Sequence, residues 1–360
     1  MGSLESRLDE FNDLYNRIFR RKRPIEVARW QFLENPYGKS KSFLLEDFDG
    51  KIRGHWGILL HELVVGGSSF IGGKNENTMI DPELKGKGLY KPFDRYCADR
   101  CISEGIVLWS ISTKEAIRVR LKSGYTVLGN MKSFQQIMHI PNNSNPLYFT
   151  YLWLLFFLRL GLHFYRERYN PARAIRNLFI RVGKNISSYK GDRFHEVEFS
   201  EIISLFYSIS DYEYNTIRRT PEYMEWRYEK NPNIKYHYVI SDDRKSYFIY
   251  SFITEKRILI HDLGLIDRGS FTMPSSCILT SFEQYCRNHG INTIIFRTMM
   301  NTHLGRLLLK IGYHLSFRQM KEKTGTMVIK GIPEEQKDIS KWFITNIFTE
   351  GVDIYRNNQS

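Results

Sequence analysis

A glycine- and lysine-rich stretch at residues 79–90 holds the residues of this sequence best suited to chemistry. It reads Met-Ile-Asp-Pro-Glu-Leu-Lys-Gly-Lys-Gly-Leu-Tyr and lies between a strand-like and a helix-like segment. A glycine-rich turn ahead of a helix leaves backbone N–H groups unpaired, and these bind anions together with the positive end of the helix dipole. Gly86 and Gly88 have no side chain to block a phosphate, and Lys85 and Lys87 add positive charge. The pattern predicts a phosphate-binding loop, with an exposed basic turn as the alternative.

The elements around this loop show signs of an internal duplication. Three patterns occur twice and in the same order: Trp-x4-Asn-Pro at 30–36 and 226–232, Tyr-Cys at 96–97 and 285–286, and Leu-Lys-x-Gly-Tyr at 121–125 and 309–313. The two copies of each pattern are separated by nearly the same number of residues, and the chain has only 6 tryptophans. This recurrence predicts two copies of one structural unit, with chance similarity of short patterns as the alternative.

Each copy has the same predicted order of elements. A helix ends at the Asn-Pro pair, because the residue before a proline is pushed out of helical geometry. The predicted strands are 42–46, 54–65, 70–81 and 106–111 in the first copy and 236–241, 246–254, 257–265 and 291–298 in the second, and the main helices are 90–104 and 274–288. Strands first, then alternating helix and strand, predict an α/β fold in which each copy is a mixed sheet flanked by helices.

This order of elements, with the loop in the first copy, resembles the GNAT superfamily of acyl-CoA N-acyltransferases. In that family a loop of the form (Arg/Gln)-x-x-Gly-x-(Gly/Ala) holds the pyrophosphate of the cofactor. Lys85 stands at the Arg/Gln position and Gly88 at the first glycine, whereas Tyr90 stands where Gly or Ala is usual. The likeness covers residues 19–139 well and residues 199–330 more weakly.

The resemblance implies a binding site in the first copy for acetyl-CoA or another acyl-CoA. Loop residues would hold the pyrophosphate, backbone groups of the preceding strand would hold the pantetheine arm, and polar residues after the next strand would lie beside the thioester. In that order, these residues are Lys85, Gly86, Lys87, Gly88 and Leu89, then Met79 and Ile80, then Ser112 and Thr113. Direct transfer of this kind needs no metal ion.

Acylation of an amine needs a group that removes the proton of the amine and a group that protonates the leaving thiolate. By the same resemblance, Glu76 on the strand before the loop is the candidate base, and Asn77 would orient the acceptor. Simple alternation along the strand places Glu76 and Thr78 on one face. The alternative role for Glu76 is that of a solvated carboxylate near a loop.

The resemblance does not assign the acid. The family usually carries a general-acid tyrosine four residues before the closing glycine, and this position holds Arg120. Tyr90 and Tyr125 are the available phenols, although Tyr125 is also expected to be a core aromatic that closes the helix. A thiolate that leaves without a proton donor is the remaining alternative.

The second copy lacks the loop. Its equivalent stretch at residues 265–274 has one glycine, and Pro274 has no amide hydrogen to donate. We therefore expect one acyl-CoA site, with the second copy shaping the acceptor cleft or supporting the first. The predicted organisation is a GNAT-like domain at 1–140, a helical linker at 141–195, a degenerate GNAT-like domain at 196–335 and a tail at 336–360.

An apolar stretch at 147–165, followed by a run of arginines, joins the two copies. It is almost long enough to cross a bilayer, but Arg159 lies inside it and would cost about 2.5–3.5 kcal/mol at the bilayer centre. Three interpretations remain, in decreasing order of expectation. They are a helix packed between the domains, peripheral membrane contact by an interfacial helix through 147–168, and a true span.

Composition limits the class of protein. Hydrophobic residues make up 42% of the chain and aromatic residues 14%, which indicates a folded protein. The four cysteines form no CxxC pair, as is typical of a reduced, cytoplasmic protein. The net charge of +13 suits nucleic acid, an anionic membrane surface or a polyphosphate cofactor. No zinc-finger or RNA-binding signature is present, so nucleic acid is not expected as a partner.

The sequence therefore predicts a cytoplasmic enzyme, working at the inner membrane surface if the apolar stretch binds there, that moves an acetyl or other short acyl group to a primary amine. The Trp-x4-Asn-Pro pattern resembles GNAT members of bacterial glycan biosynthesis, which suggests a nucleotide- or lipid-linked amino sugar as the small-molecule acceptor. Two alternatives stay open. One is an aminoacyl or long-chain acyl transferase with doubled GNAT units, and the other is a non-catalytic, membrane-associated protein that binds acyl-CoA.

Overall fold

The structure, a computed structural model, describes residues 4–137, 193–315 and 325–349. The apolar stretch at 147–168 and most of the predicted linker at 141–195 lie outside these residues. Within the described ranges, no helix is both long enough and apolar enough to cross a membrane.

The first half of the chain contributes four helices and five strands to the described residues. The helices are α1 (Leu8–Phe19), α2 (Ile25–Leu33), α3 (Tyr90–Ser103) and α4 (Lys114–Lys122). The strands are β1 (Lys41–Glu46), β2 (Ile52–Val65), β3 (Ser68–Ile80), β4 (Val107–Ser112) and β5 (Thr126–Ile137).

The second half repeats this order with additional short strands. Its described helices are α5 (Phe199–Tyr207), α6 (Pro221–Met224), α7 (Ser276–Asn288) and α8 (His303–Lys310). Its described strands are β6 (Phe194–Val197), β7 (Asp211–Tyr212), β8 (Thr216–Ile217), β9 (His237–Ser241), β10 (Ser246–Thr254), β11 (Arg257–Asp267), β12 (Ser270–Thr272), β13 (Thr293–Met299), β14 (His314–Leu315) and β15 (Thr326–Lys330). The boundaries predicted for the main strands and helices differ from these by about two residues at most.

All fifteen strands of the described residues belong to one mixed sheet. Along its main path the order is β1-β2-β3-β4-β15-β5-β13-β11-β10-β9-β6. The pairs β3–β4 and β11–β13 are parallel, and the other neighbours on this path are antiparallel. The predicted mixed sheet flanked by helices is confirmed.

The two halves exchange strands at the centre of the sheet. The strand β15, from the end of the chain, lies between β4 and β5 of the first half. The strand β5 extends beyond β15 and pairs with β13 and β14 of the second half. Each half thus completes the sheet of the other, which the sequence did not predict because local patterns do not specify a strand's partner.

Equivalent residues of the duplicated patterns meet where the halves join. The indole rings of Trp30 and Trp226 stack with centroids 4.9 Å apart. The N–H of Trp30 donates to the carbonyl oxygen of Trp226 at 2.8 Å, and the N–H of Trp226 donates to the carbonyl oxygen of Trp30 at 3.0 Å. Such reciprocal contacts are expected at a two-fold axis; the duplication itself stays a prediction.

Glycines end the equivalent helices of the two halves in the same way. Gly105 and Gly290 follow α3 and α7 with φ angles of 77° and 73°, and Gly124 and Gly312 follow α4 and α8 with φ angles of 85° and 97°. Only glycine adopts this left-handed conformation without a steric cost, so the glycine positions determine where these helices stop.

One large cluster of buried side chains is shared by both halves, and it includes Trp30, Trp109 and Trp226. Two smaller clusters lie in the first half, one beneath α1 and α2 and one beneath α3. Residues 342–348, which the sequence assigned to a C-terminal tail, are buried in the shared cluster. These residues pack against the rest of the protein because the run Trp-Phe-Ile at 342–344 is too apolar to stay in solvent.

Candidate functional site

The glycine-rich loop connects β3 to α3, and its first residue is firmly anchored. Asp81 is fully buried, and its carboxylate lies 2.8 Å from a guanidinium nitrogen of Arg17 and 3.6 Å from Nε of Arg53. The Oδ1 atom of Asp81 accepts the amide N–H of Glu83 at 3.1 Å and so starts a single 3-10 turn at Pro82–Leu84. The loop is therefore held against α1 and β2 where it leaves the sheet.

The second part of the loop exposes backbone amides. Gly86 and Gly88 have φ angles of 85° and 75°, and a Cβ atom added to either would meet nothing within 4 Å. The amides of Gly86, Gly88 and Leu89 find no backbone acceptor in the part of the chain that the structure describes. Leu89 precedes α3 and provides no side-chain cap for its first turn. An uncapped helix start next to free loop amides is a site for an anion such as phosphate.

The two lysines of the loop contribute in a different way from the glycines. The amide of Lys85 donates to the carbonyl oxygen of Pro82 at 3.0 Å, and the amide of Lys87 donates to that of Leu84 at 3.3 Å. These amides are therefore occupied by the turn itself. Lys85 and Lys87 can offer an anion only their exposed ammonium groups.

The strands β3 and β4 diverge beside the loop. They pair in parallel at three positions only, the last of which sets Lys74 opposite Trp109. Beyond Lys74, β3 continues to Ile80 in register with β2, and within the described residues its other edge has no strand partner. We call the gap between β3 and β4 beyond Lys74 and Trp109 the first cleft. The residues that the sequence predicted for the pantetheine arm and the thioester flank it: Met79, Ile80, Ser112 and Thr113.

Two of these flanking residues use their hydroxyl groups within the protein. The hydroxyl of Ser112 bonds to that of Ser110, and Ser112 is buried. Thr113 is exposed and caps α4, since its Oγ1 atom accepts the amide N–H of Ala116 at 3.5 Å. Met79 packs its side chain beneath α1 and α2, so it can offer a ligand only backbone groups.

A β-bulge in β3 determines which side chains share a wall of the first cleft. Asn77 has a positive φ angle of 49°, and the register with β2 shifts at this point. Simple alternation predicts Glu76 and Thr78 on one face, and this prediction is wrong because the bulge inserts one residue. Thr78 instead lies on the side of α4, where its hydroxyl accepts a hydrogen bond from Arg120 at 3.0 Å.

One wall of the first cleft carries a buried carboxylate. Glu76 is 1% exposed and forms an ion pair with Lys74, which is 6% exposed. The ammonium of Lys74 lies 5.8 Å from the centre of the Trp109 ring. Apart from Lys74, the described residues give the carboxylate no hydrogen-bond donor. The alternative of a solvated carboxylate is therefore wrong, and Glu76 retains capacity to accept a proton or a hydrogen bond.

Two buried histidines support this wall without carrying charge. Burial lowers the pKa of His55 to about 4 and that of His61 to about 3. The Nδ1 atom of His55 lies 2.9 Å from the backbone oxygen of Asn77 and donates to it, which fixes the bulge. The Nε2 atom of His61 accepts the indole N–H of Trp109 at 2.9 Å. The side-chain amide of Asn77 contacts Gln31 of α2 at 3.5 Å, so the residue predicted to orient the acceptor is itself oriented by a helix.

The opposite wall carries a buried guanidinium. Arg120 of α4 is 2% exposed and forms an ion pair with Asp94 of α3. Its Nη2 atom donates to the hydroxyl of Thr78 at 3.0 Å and its Nη1 atom to the hydroxyl of Tyr125 at 3.2 Å. Tyr125 in turn donates to Oδ1 of Asn75 at 3.0 Å. This network ties α3, α4 and β3 together along the first cleft.

The two candidate phenols differ in their surroundings. Burial raises the pKa of Tyr125 well above its ordinary value, and its hydroxyl is bonded within the network. Tyr125 is therefore a core residue. Tyr90 is half-buried at the start of α3; burial raises its pKa, although the charge of Arg120 acts in the opposite direction. Tyr90 thus stays protonated near neutral pH and lies next to the loop.

Sequence reasoning missed several residues of the two walls. Lys74, Asn75 and Asp94 were not assigned a role, and Arg120 was noted only as a departure from the family. A signal was present, because the run Lys-Asn-Glu-Asn-Thr at 74–78 places five polar residues in succession in a strand, and the first three of them are buried. Buried ionisable groups persist only when they are paired, so such a run predicts a polar network.

The second half has a cleft at the corresponding place. The strands β11 and β13 pair in parallel up to Ile260 opposite Phe296 and then diverge. Asp262 follows Ile260 by the same interval as Glu76 follows Lys74, and it is fully buried. We call this gap the second cleft.

The chain itself fills the second cleft. Arg219 donates at 2.9 Å to each carboxylate oxygen of Asp262, and the hydroxyls of Tyr247 and Thr345 donate at 2.7 and 2.8 Å. Thr345 belongs to the buried C-terminal segment, whose last turn, Asn346–Phe348, lies against both β11 and β13. The carboxylate of Asp262 is therefore fully engaged in structural bonds.

A β-hairpin replaces the loop in the second half. Asp267 of β11 pairs with Ser270 of β12 across a two-residue turn, in which Arg268 and Gly269 have φ angles of 51° and 81°. The short strand β12 was not predicted from the sequence. Ser275 caps α7, since its hydroxyl accepts an amide N–H from the first turn at 3.4 Å. At the place that corresponds to the loop, the second half therefore has a closed hairpin and a capped helix start.

Comparison with solved structures bears on the fold. A GCN5-related N-acetyltransferase from Anabaena variabilis matches with a TM-score of 0.55 and 14% sequence identity, over 91% of this chain and 71% of that one. A conserved protein of unknown function from Enterococcus faecalis, described as a probable N-acyltransferase, matches with a TM-score of 0.55 and 12% identity, over 95% and 73%. A GCN5-related N-acetyltransferase from Kribbella flavida gives 0.52 and 11%, over 90% and 68%.

No protein-family model and no curated protein matches the sequence. At identities this low the likeness to solved structures concerns the fold alone. The resemblance read from the loop and the order of elements is thereby confirmed at the level of architecture: this chain has the GNAT fold, that of the GCN5-related N-acetyltransferases.

Proposed function

We propose that this chain transfers an acetyl or other short acyl group from CoA to a primary amine, at a single site in the first half. The observation that carries the proposal is the row of open amides at Gly86, Gly88 and Leu89, which lies beside the first cleft. Such amides bind the phosphates of a cofactor. A thioester attached to that cofactor would then enter the gap between β3 and β4.

The first cleft has the groups that the reaction needs. As the nitrogen of the amine attacks the carbonyl carbon, the N–C bond forms, the C–S bond breaks and the electron pair of the C–S bond stays on sulfur. Glu76 would take the proton of the amine, because neither of its carboxylate oxygens has a hydrogen-bond donor among the described residues other than Lys74. Confining both reactants to one gap also removes much of the entropic cost of their encounter.

Fewer observations bear on the acceptor than on the cofactor. Asn77, fixed by the bulge and by Gln31, would orient the amine beside Glu76. The net charge of +13 favours an anionic acceptor, such as a nucleotide- or lipid-linked amino sugar. Peripheral membrane contact through 147–168, the second of the three interpretations of that stretch, would serve the lipid-linked form.

A protein that binds acyl-CoA without turnover is the second candidate. The observation in its favour is the burial of Glu76, which is 1% exposed. An amine can reach this carboxylate only if the first cleft opens. Release of free CoA thiol from acetyl-CoA in the presence of nucleotide amino sugars and simple amines separates the candidates, since a sensor releases none above the rate without protein.

Replacement of Gly88 by alanine tests the assigned loop. Gly88→Ala places a methyl group on the loop and forces a non-glycine residue to a φ angle of 75°. Gly50→Ala is a matched control, because Gly50 has a φ angle of 76°, equally open surroundings and a place in the β1–β2 turn. Both variants should therefore lose a similar amount of stability, about 1–2 kcal/mol.

The two variants should differ in their response to acetyl-CoA. A ligand at a hundredfold excess over its Kd adds about 2.7 kcal/mol of stability. This stabilisation, measured as a rise in melting temperature, should persist in Gly50→Ala and be lost in Gly88→Ala. Equal shifts in the two variants would show that the cofactor binds elsewhere.

A further inference from the structure

The polar side chains of the first cleft lie on two separate walls. Glu76 and Lys74 lie on the wall beside Trp109, and Arg120, Thr78 and Asn75 lie on the wall beside α3 and α4. Alternation along β3 separates Asn75 from Lys74 and Glu76, and the bulge at Asn77 brings Thr78 to the side of Asn75. A group between the walls therefore meets the Glu76–Lys74 ion pair on one side and the Arg120–Asp94 ion pair on the other.

The guanidinium of Arg120 has donors to spare. Of its five N–H groups, three are used by Asp94, Tyr125 and Thr78. Its Nε atom is buried and has no acceptor among the described residues. The side-chain nitrogen of Asn75 is likewise buried, and no acceptor for it occurs in the described part of the chain. Buried donors without acceptors are costly, so this wall is built to receive an acceptor from a ligand.

Arg120 is also held firmly in place. Its side chain is 3% exposed, and its central carbon lies 5.7 Å from the ring centre of Trp56 and 5.2 Å from that of Tyr125. An arginine remains charged at every pH at which proteins fold. A fixed cation in a site that excludes water stabilises developing negative charge without reorganising, which is the most effective form of electrostatic catalysis.

We propose that Arg120 is a catalytic residue that stabilises the thiolate of CoA as it leaves the acyl carbon. This inference rests on the proposed function, since it concerns the same cleft. When the C–S bond breaks, its electron pair stays on sulfur and the guanidinium balances the charge. The amine proton goes to Glu76 on the other wall and then to solvent. Sulfur needs no proton donor in the cleft and takes its proton from water after CoA has left.

The affinity of the protein for CoA tests this assignment without any knowledge of the acceptor. If Arg120 faces the sulfur, the thiolate binds more tightly than the thiol. The Kd of CoA should then fall about tenfold between about pH 6.5 and about pH 9, as the thiol ionises with an ordinary pKa near 8.5. Desulfo-CoA has no thiol and serves as the matched ligand, whose Kd should not change by more than about twofold over the same interval.

Two variants sharpen the measurement. Arg120→Gln should remove the extra pH dependence of CoA and leave desulfo-CoA binding unchanged, whereas Arg120→Lys, which keeps the charge, should retain part of it. Arg118→Gln is the control, because Arg118 is exposed on the same helix and should leave the wild-type behaviour intact. The ultraviolet absorbance of the thiolate in the bound state reports the same ionisation directly.

The outcomes separate this inference from the function on which it rests. If wild-type protein binds neither CoA nor desulfo-CoA, the proposed function fails. If it binds both with a ratio of Kd values that does not change with pH, the function stands and the role of Arg120 is overturned. The wild-type comparison alone decides this point, even if Arg120→Gln does not fold.

Discussion

The first and second clefts arise in the same way in the fold, but the chain itself fills the second and leaves polar groups of the first unpaired. In each, two parallel strands diverge and a carboxylate follows the last paired residue, Glu76 in one and Asp262 in the other. Asp262 receives four hydrogen bonds from Arg219, Tyr247 and Thr345, whereas Lys74 is the one partner of Glu76 in the described part of the chain. A satisfied carboxylate contributes to structure, and an unsatisfied one is available for chemistry.

The two clefts also differ in the loop and the helix start that lie beside them. The first opens towards uncapped amides at Gly88 and Leu89, and the second faces a closed hairpin and a helix capped by Ser275. The C-terminal segment, which lies against β11 and β13, occupies the place where a ligand would enter. A divergent strand pair by itself is only a gap, and the groups left unpaired around it decide whether it can bind a ligand.

Among the variants that test the difference between the two clefts, Glu76→Gln should have the largest effect on activity. The amide keeps the size of the side chain but cannot take a proton from the amine, so we expect kcat to fall about 10²–10⁴-fold. The stabilisation by acetyl-CoA should remain, because Glu76 is not part of the loop. The measurement is the initial rate of thiol release together with the CoA-induced shift in melting temperature. A rate within about fivefold of wild type would remove Glu76 from the mechanism.

Asp262→Asn should reduce stability rather than activity. It leaves the guanidinium of Arg219 buried without its counter-charge, and breaking a buried pair in this way costs about 3–5 kcal/mol. Asp267→Asn on the same strand is the control, since its partner Lys245 is half-exposed and the loss of stability should be far smaller. Denaturant unfolding measures both. The rate per folded molecule should stay near wild type in each, and its collapse in Asp262→Asn would contradict a purely structural second cleft.

A structural feature of this protein could be predicted from the sequence when the residues that cause it lie close together along the chain. The helix ends at Gly105, Gly124, Gly290 and Gly312 follow from the backbone freedom of a single residue type. The loop at 79–90 follows from glycines placed between a strand and a helix. Local causes of this kind also gave the strand boundaries to about two residues.

The features that escaped prediction have causes distant in sequence. The bulge at Asn77 depends on how β2 pairs with β3, and it moved Thr78 to the wall opposite Glu76. The exchange of β5 and β15 depends on the other half of the chain. In the sequence, Arg120 is visible only as a departure from the tyrosine that is usual in the family. Its role in the network could not be predicted, because its partners Asp94 and Thr78 lie far from it along the chain.

The contact between Trp30 and Trp226 offers the smallest and most symmetric test of the relation between the halves. Each indole N–H donates to the backbone oxygen of the other residue, so Trp30→Phe and Trp226→Phe each remove one buried hydrogen bond and keep an aromatic ring in the stack. We expect each to cost about 1–2 kcal/mol of unfolding free energy, and the two costs to agree within about 0.5 kcal/mol. Denaturant unfolding of both single variants, with Trp30→Leu to test the ring itself, provides the comparison. If one replacement lowered the unfolding free energy strongly and the other did not, the two hydrogen bonds would differ in energy despite their similar geometry. One half would then support the junction alone.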